Sequence, residues 1–110
     1  MDYQVVWSPE ALADVEAIAS YIARDSAAYA QAVVEKILET ARQVGEFPFL
    51  GRMVPELGQD TFRERFVYSY RLIYRIRNDT ITIAAVIHGR RLLRPIRERL
   101  EGSEDDPAGA

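Results

Sequence analysis

FRERFVYSYRLIYRIRNDTITIAAVIHGRR, residues 62–91, decides how this chain folds. Apolar and basic residues alternate through it with period two, the spacing of strands whose successive side chains point to opposite faces. The pattern breaks after Val67 and again at Asn78-Asp79, a pair suited to a tight turn. It therefore predicts an antiparallel meander with strands over 62–67, 70–76 and 81–88. On the middle strand Tyr70, Leu72, Tyr74 and Ile76 take one face, and Arg71, Ile73 and Arg75 the other. The last strand is apolar at nearly every position, as expected of one that is central or covered on both faces. It runs out at the single histidine, His88, followed by Gly89-Arg90-Arg91.

Upstream, residues 3–7 read as a short first strand. Ser8-Pro9-Glu10 is a helix start: Ser8 at the N-cap, Pro9 at the first helical position, Glu10 beside the positive end of the dipole. Leu12, Val15, Ile18, Ala19 and Ile22 recur at helical spacing to about Arg24. Asp25-Ser26 interrupts the pattern. Ala30, Val33, Val34, Ile37, Leu38, Ala41 and Val44 resume it up to Gly45, where a helix can end. Two amphipathic helices with almost no linker form a helical hairpin. Residues 47–60, opening with Phe47-Pro48-Phe49-Leu50-Gly51, read as a loop. Pro95 is placed to start a short terminal helix through Leu100, and residues 101–110 read as an acidic, solvated tail.

The chain is thus expected to be one α+β domain over residues 1–100, long enough for one modest core. The hairpin packs on one face of a mainly antiparallel sheet and leaves the other face free. No run of eighteen apolar residues and no basic-then-apolar leader occurs, so no membrane span or secretory signal is expected, and the cytoplasm is the expected location. Without cysteine there is no disulfide framework or thiol nucleophile, and a lone histidine argues against zinc. No metal or other cofactor is expected.

Ten basic and three acidic residues fall within residues 63–99, whereas residues 1–62 carry four basic and ten acidic ones. The net charge of −3 therefore conceals a basic half that can bind an anionic partner. Lys36 is the only lysine. Arginine supplies the other cations, and its planar fork suits carboxylate or phosphate.

The order of elements, with YRLIYRI, NDTITI and VIHGRR, resembles the RelE/ParE superfamily of bacterial toxins. The SPEALADVE opening of the first helix and the P-x-x-G-R turn from Pro48 to Arg52 carry the same resemblance, which spans residues 3 to about 95. It implies a β-α-α-β-β-β fold and a growth-inhibiting toxin of a type II toxin–antitoxin system, neutralised by a cognate antitoxin in a hetero-oligomer. RelE-like members cleave messenger RNA on the ribosome, and ParE-like members poison DNA gyrase without a known catalytic centre.

Cleavage of RNA by its 2′-hydroxyl needs a base, a cation for the phosphorane and an acid for the leaving oxygen. Arg63, Arg65 or Arg71 could supply the cation, and His88 the acid or base. Glu64 alternates onto the strand face opposite Arg63 and Arg65, which argues against a site shared with them. The lysine cluster of RelE-type enzymes has no counterpart, nor does an aromatic acid just beyond the last strand. His88 has a plain structural reading as well, packing at the strand end and bonding a backbone carbonyl. The incomplete kit and the His-Gly-Arg-Arg end favour a ParE-like toxin that binds gyrase over an endonuclease. Arg63, Arg65, Arg71 and Arg75 are expected to form an anion-seeking sheet face, crossed by an acidic antitoxin segment. His88, Arg90 and Arg91 are expected to meet the target.

Overall fold

The computed structural model describes residues 3–90 and 98–100. Its elements are β1 (Gln4–Trp7), α1 (Pro9–Ala23), α2 (Ala27–Glu46), a 3-10 turn (Pro48–Leu50), β2 (Arg52–Met53), β3 (Phe62–Val67), β4 (Tyr70–Arg77) and β5 (Thr80–His88). The five strands form one sheet in the order β1-β5-β4-β3-β2. β1 runs parallel to β5, and every other neighbouring pair is antiparallel. The expected meander and hairpin are both present. β2 is an addition: two residues inside what reads as a loop, too short to show any period.

Local chemistry sets the hairpin. Ser8 Oγ accepts the Ala11 N–H at 3.0 Å, Pro9 opens α1, and Ser26 Oγ accepts the Tyr29 N–H at 3.0 Å to start α2. The helices bury Ala11, Val15, Ile22, Val33, Ile37, Ala41 and Val44 against Val67, Leu72, Tyr74, Ile81, Ile83 and Val86 of the sheet. Each large aliphatic side chain so buried contributes roughly 1.5–3 kcal/mol. Leu12 and Leu38, read into the apolar stripes, are instead about half exposed, because each projects off the edge of its helix's buried face. Trp7 packs partly buried against this core.

The second sheet face is not free. Val54, Leu57, Phe62, Ile73, Ala84, Ala85, Ile87 and Leu100 form a second core on it. Val54 and Leu57 come from the connection between β2 and β3, and Leu100 from the terminal segment, so the loop folds back as a lid. The helical state of 98–100 fits the end of the expected terminal helix. Residues 91–97, which would start it, and the acidic tail lie outside the described residues.

A β-bulge shapes β5. The register steps from Ile73↔Ala85 to Tyr74↔Ile83, leaving Ala84 as the extra residue. Backbone groups of β5 beyond Ile83, where the pairing with β1 stops, are met by side chains. The Val86 N–H donates to Asp14 Oδ2 at 2.9 Å, and Arg99 donates to the Ala84 carbonyl at 2.6 Å. Arg99 also bridges to Asp14 at 2.9 Å, tying the terminal segment to α1 across the sheet.

Candidate functional site

The antiparallel register decides which arginines share a face. Arg63 lies opposite Tyr74 and Arg65 opposite Leu72, so both stand on the helix-covered side. Arg71 lies opposite Phe66 and Arg75 opposite Phe62, which puts them on the other side, with Glu64. The expected single arginine face is therefore split by the sheet. Its cause is the two-residue turn at Tyr68-Ser69, which pairs Val67 with Tyr70 and fixes every later pair. Tyr68 and Asn78 open the two hairpin turns with φ of 54°. Asn adopts that left-handed region readily, whereas Tyr accepts a cost there.

Arg63 donates to the Gly51 carbonyl at 3.0 Å and to Asp60 at 2.6 Å, and lies 5.0 Å over the Phe49 ring. Arg65 reaches Gln43 of α2 at 3.4 Å. Both are partly buried side chains bracing the loop and the helix end. Arg75 is also partly buried.

Arg71 is the centre of a charge network that sequence reading missed. Its side chain is 4% exposed. Nε donates to Glu64 Oε1 at 2.6 Å, and the two terminal nitrogens grip Glu56 in a fork at 3.1 and 3.0 Å. Glu64, whose side chain is wholly buried, also accepts from Arg52 Nε at 2.6 Å. Burial opposes the Arg71 charge, but hydrogen bonds to Glu56 and Glu64 outweigh it and hold the guanidinium charged. Two carboxylates bind this cation, so Arg71 is not an open anion receptor.

The fork to Arg71 pulls the Glu56 carboxyl below the usual carboxylate range, against the effect of its partial burial. A carboxyl with a depressed folded-state pKa stabilises the fold above its unfolded pKa and loses that contribution as pH falls through the depressed value. The melting-temperature difference between wild type and Glu56→Gln should therefore be largest near neutrality and shrink in acid. Circular dichroism at both pH values measures it, and a difference that does not change with pH would refute the assignment. Glu56 is 42% exposed, so solvent screening keeps the effect small, under about 1 kcal/mol.

The rim of this network is a surface. Arg52, 57% exposed, lies 5.3 Å over the ring of exposed Phe66. Gly89 sits beside Phe66: a Cβ there would come within 3.5 Å of that ring and 3.1 Å of the Ser69 carbonyl. Arg90 follows, exposed. Arg52, Phe66 and Gly89 thus make one cationic and aromatic strip, which exposed Arg90 follows in the chain. Arg91 lies outside the described residues.

His88 points the other way. It pairs with Tyr70, on the helix side of the sheet, and meets that ring edge-on with centroids 5.7 Å apart. Its Nδ1 accepts the Arg90 backbone N–H at 3.1 Å, a bond that a neutral ring with its proton on Nε2 can make. Arg63 shares this side, but four residues along the strand and two strands across separate it from His88, roughly 16 Å. Arg71 is nearer but behind the sheet. Arg65, two residues along and two strands across on the same side, is roughly 12 Å away and reaches Gln43 instead, so among the described residues none of Arg63, Arg65 and Arg71 is paired with His88.

A family model described as the ParE toxin of the type II toxin–antitoxin system parDE matches residues 5–93. Toxin RelE2 of Caulobacter vibrioides is 34% identical over 90 residues, which span 81% of this chain and 98% of that protein. Among solved structures, a chromosomal ParDE toxin–antitoxin system from P. aeruginosa superposes with a TM-score of 0.66 at 19% identity, covering 78% of this chain and 95% of that one. The YoeB dimer from Staphylococcus aureus superposes with a TM-score of 0.55 at 18% identity, covering 80% and 98%. The two structures share the fold, and the sequence matches carry the kinship: this chain belongs to the ParE toxin family of type II toxin–antitoxin systems.

Proposed function

We propose that this toxin acts by docking on DNA gyrase rather than by cutting RNA, and that its cognate antitoxin silences it by masking the docking strip. Family membership supports the antitoxin as partner. One observation carries the choice of mechanism. Arg71 is neutralised by carboxylates on one sheet face, while Arg63 and Arg65, on the face of His88, are engaged by Gly51, Asp60 and Gln43 away from its ring. What the chain does present is the strip of Arg52, Phe66 and Gly89, with Arg90 next in the chain. An exposed arginine stacked on an aromatic ring, with a second exposed arginine following, is the composition of an interface hot spot. An acidic antitoxin segment would meet Arg52 and Arg90 there, not a continuous row of four sheet arginines.

With purified gyrase and supercoiled DNA, the toxin should cause double-strand breaks to accumulate. Arg90→Ala should weaken that effect by about tenfold or more, as expected for a hot-spot truncation. Unchanged DNA topology would sink the proposal.

One observation favours the rival, a ribosome-dependent messenger RNA endonuclease. The half-exposed Glu56 carboxylate lies in the field of exposed Arg52, which places a base near a cation that solvent reaches, and Toxin RelE2 bears the name of that branch. Primer extension on translated messages would then show cuts that Glu56→Gln abolishes.

A further inference from the structure

The tip of the helical hairpin gathers four rings from four elements. Tyr21 stands near the end of α1, Tyr29 in the first turn of α2, Tyr70 at the start of β4 and His88 at the end of β5. Tyr21 and Tyr29 are 67% and 53% exposed. The Ser8 N–H donates to the Ile83 carbonyl and the Val86 N–H to Asp14, so α1 runs toward the end of β5, and the antiparallel α2 returns to Tyr3 at Gly45. The hairpin turn with Tyr21 and Tyr29 therefore lies at the end of the sheet that carries Tyr70 and His88. Burial pushes the Tyr70 phenol up, and the phenols of Tyr29 and Tyr21 push it the same way.

The backbone of Tyr29 and the ring of His88 are held in place. Ser26 pins the Tyr29 backbone, and the Arg90 N–H pins the His88 ring against Tyr70. A tyrosine on a helix has only two side-chain torsions to lose on binding. Cations flank the cluster: the Arg24 guanidinium lies 5.9 Å over the Tyr21 ring, and exposed Arg90 follows His88. Asp25, in the turn between the helices, is the carboxylate nearest in sequence.

We propose that this hairpin tip is a second binding surface, on which unpaired bases of a single-stranded nucleic acid stack against Tyr21, Tyr29 and His88 while Arg24 and Arg90 meet the flanking phosphates. Exposed rings bordered by guanidinium groups suit this ligand, because every base offers a π-face and every linkage a negative charge. A duplex hides its base faces and satisfies only the cations. The chemistry is common to DNA and RNA. It does not depend on the choice between gyrase and ribosome, since it needs no part of the Arg71 network and shares only Arg90 with the strip around Phe66, a residue that the test below leaves unchanged.

Fluorescence anisotropy of the purified toxin with labelled oligothymidylate, oligouridylate and a duplex of equal length tests it, with no gyrase or ribosome present. A single strand should bind about tenfold or more tightly than the duplex, and Tyr21→Ala with Tyr29→Ala should weaken it by a similar factor. The corresponding double phenylalanine variant keeps the stacking faces and should bind like wild type. Arg24→Gln should reduce the salt dependence of binding. Whichever single-stranded arm binds better identifies the source. Both tyrosines are exposed, so the alanine variant should melt like wild type. If it does not, the phenylalanine and Arg24 variants still decide. Equal affinity for the duplex, unchanged affinity in the alanine variant, or no binding of either single strand would overturn the proposal.

Discussion

Glu64→Gln should lower the free energy of unfolding by about 3–5 kcal/mol, because it leaves Arg71 charged and buried with its inner partner gone. The Glu64 side chain is wholly buried and takes a hydrogen bond from Arg52 on one oxygen and from Arg71 on the other. A glutamine fills the same space with no charge and only one acceptor oxygen. Glu56 cannot take over, since its carboxylate already occupies the outer fork of Arg71. Urea denaturation should show an earlier midpoint at unchanged slope. A loss smaller than about 1 kcal/mol would mean that water reaches the pair and that burial does not govern it.

The sharper form of this test removes both charges together. Glu64→Leu with Arg71→Met should be far less damaging than Glu64→Gln alone, since burying an ion pair and burying apolar side chains of similar size are close in free energy. Arg52 and Glu56 both reach solvent and tolerate losing their partners. Recovery in the double variant would show that the network sets geometry at the rim rather than supplying net stability.

Leu100→Ala should cost about 2–5 kcal/mol, the range for removing a buried leucine from a core that cannot collapse into the gap. Leu100 is fully buried with Phe62, Ile73 and Ile87, on the face that sequence reading left open. Leu100→Met conserves volume and should cost less than about 1.5 kcal/mol. Thermal melts of the two variants separate a packed side chain from a loosely resting one. Equal melting temperatures for Leu100→Ala and wild type would refute its role in the second core.

Much of this fold is legible before any coordinates, and the parts that are not share a cause. Period two over residues 62–91 marks β3, β4 and β5, and Ser8-Pro9 and Ser26 mark the helix starts, because these signals are local. Alternation within a strand says nothing about register between strands, so it cannot tell that Arg71 and Arg63 stand on opposite faces. One two-residue turn settles that, and it put Arg71 beside Phe66 and Glu64. Glu64 was recognised as facing away from Arg63 and Arg65, yet its true partners are 7 and 12 residues away along the chain. Val54, Leu57 and Leu100 belong to no periodic segment, so the second core left no pattern to read. Phe66 and Arg52 were passed over for a related reason: an exposed ring gains meaning only from what stands over it.

The clamp at the β5 bulge has a consequence for when this toxin can exist. Among the described residues β1 has β5 as its only strand neighbour, and Arg99 closes onto Asp14 across 85 residues of chain. Both contacts are among the most distant in sequence that the fold possesses, and such contacts form late. During translation the first strand and the hairpin leave the ribosome long before the segments that complete them. The nascent chain therefore carries an unfinished sheet until β5 and the segment bearing Arg99 have left the ribosome, and the folded toxin appears only then. That interval gives an antitoxin already in the cell time to meet its target before the target can do harm.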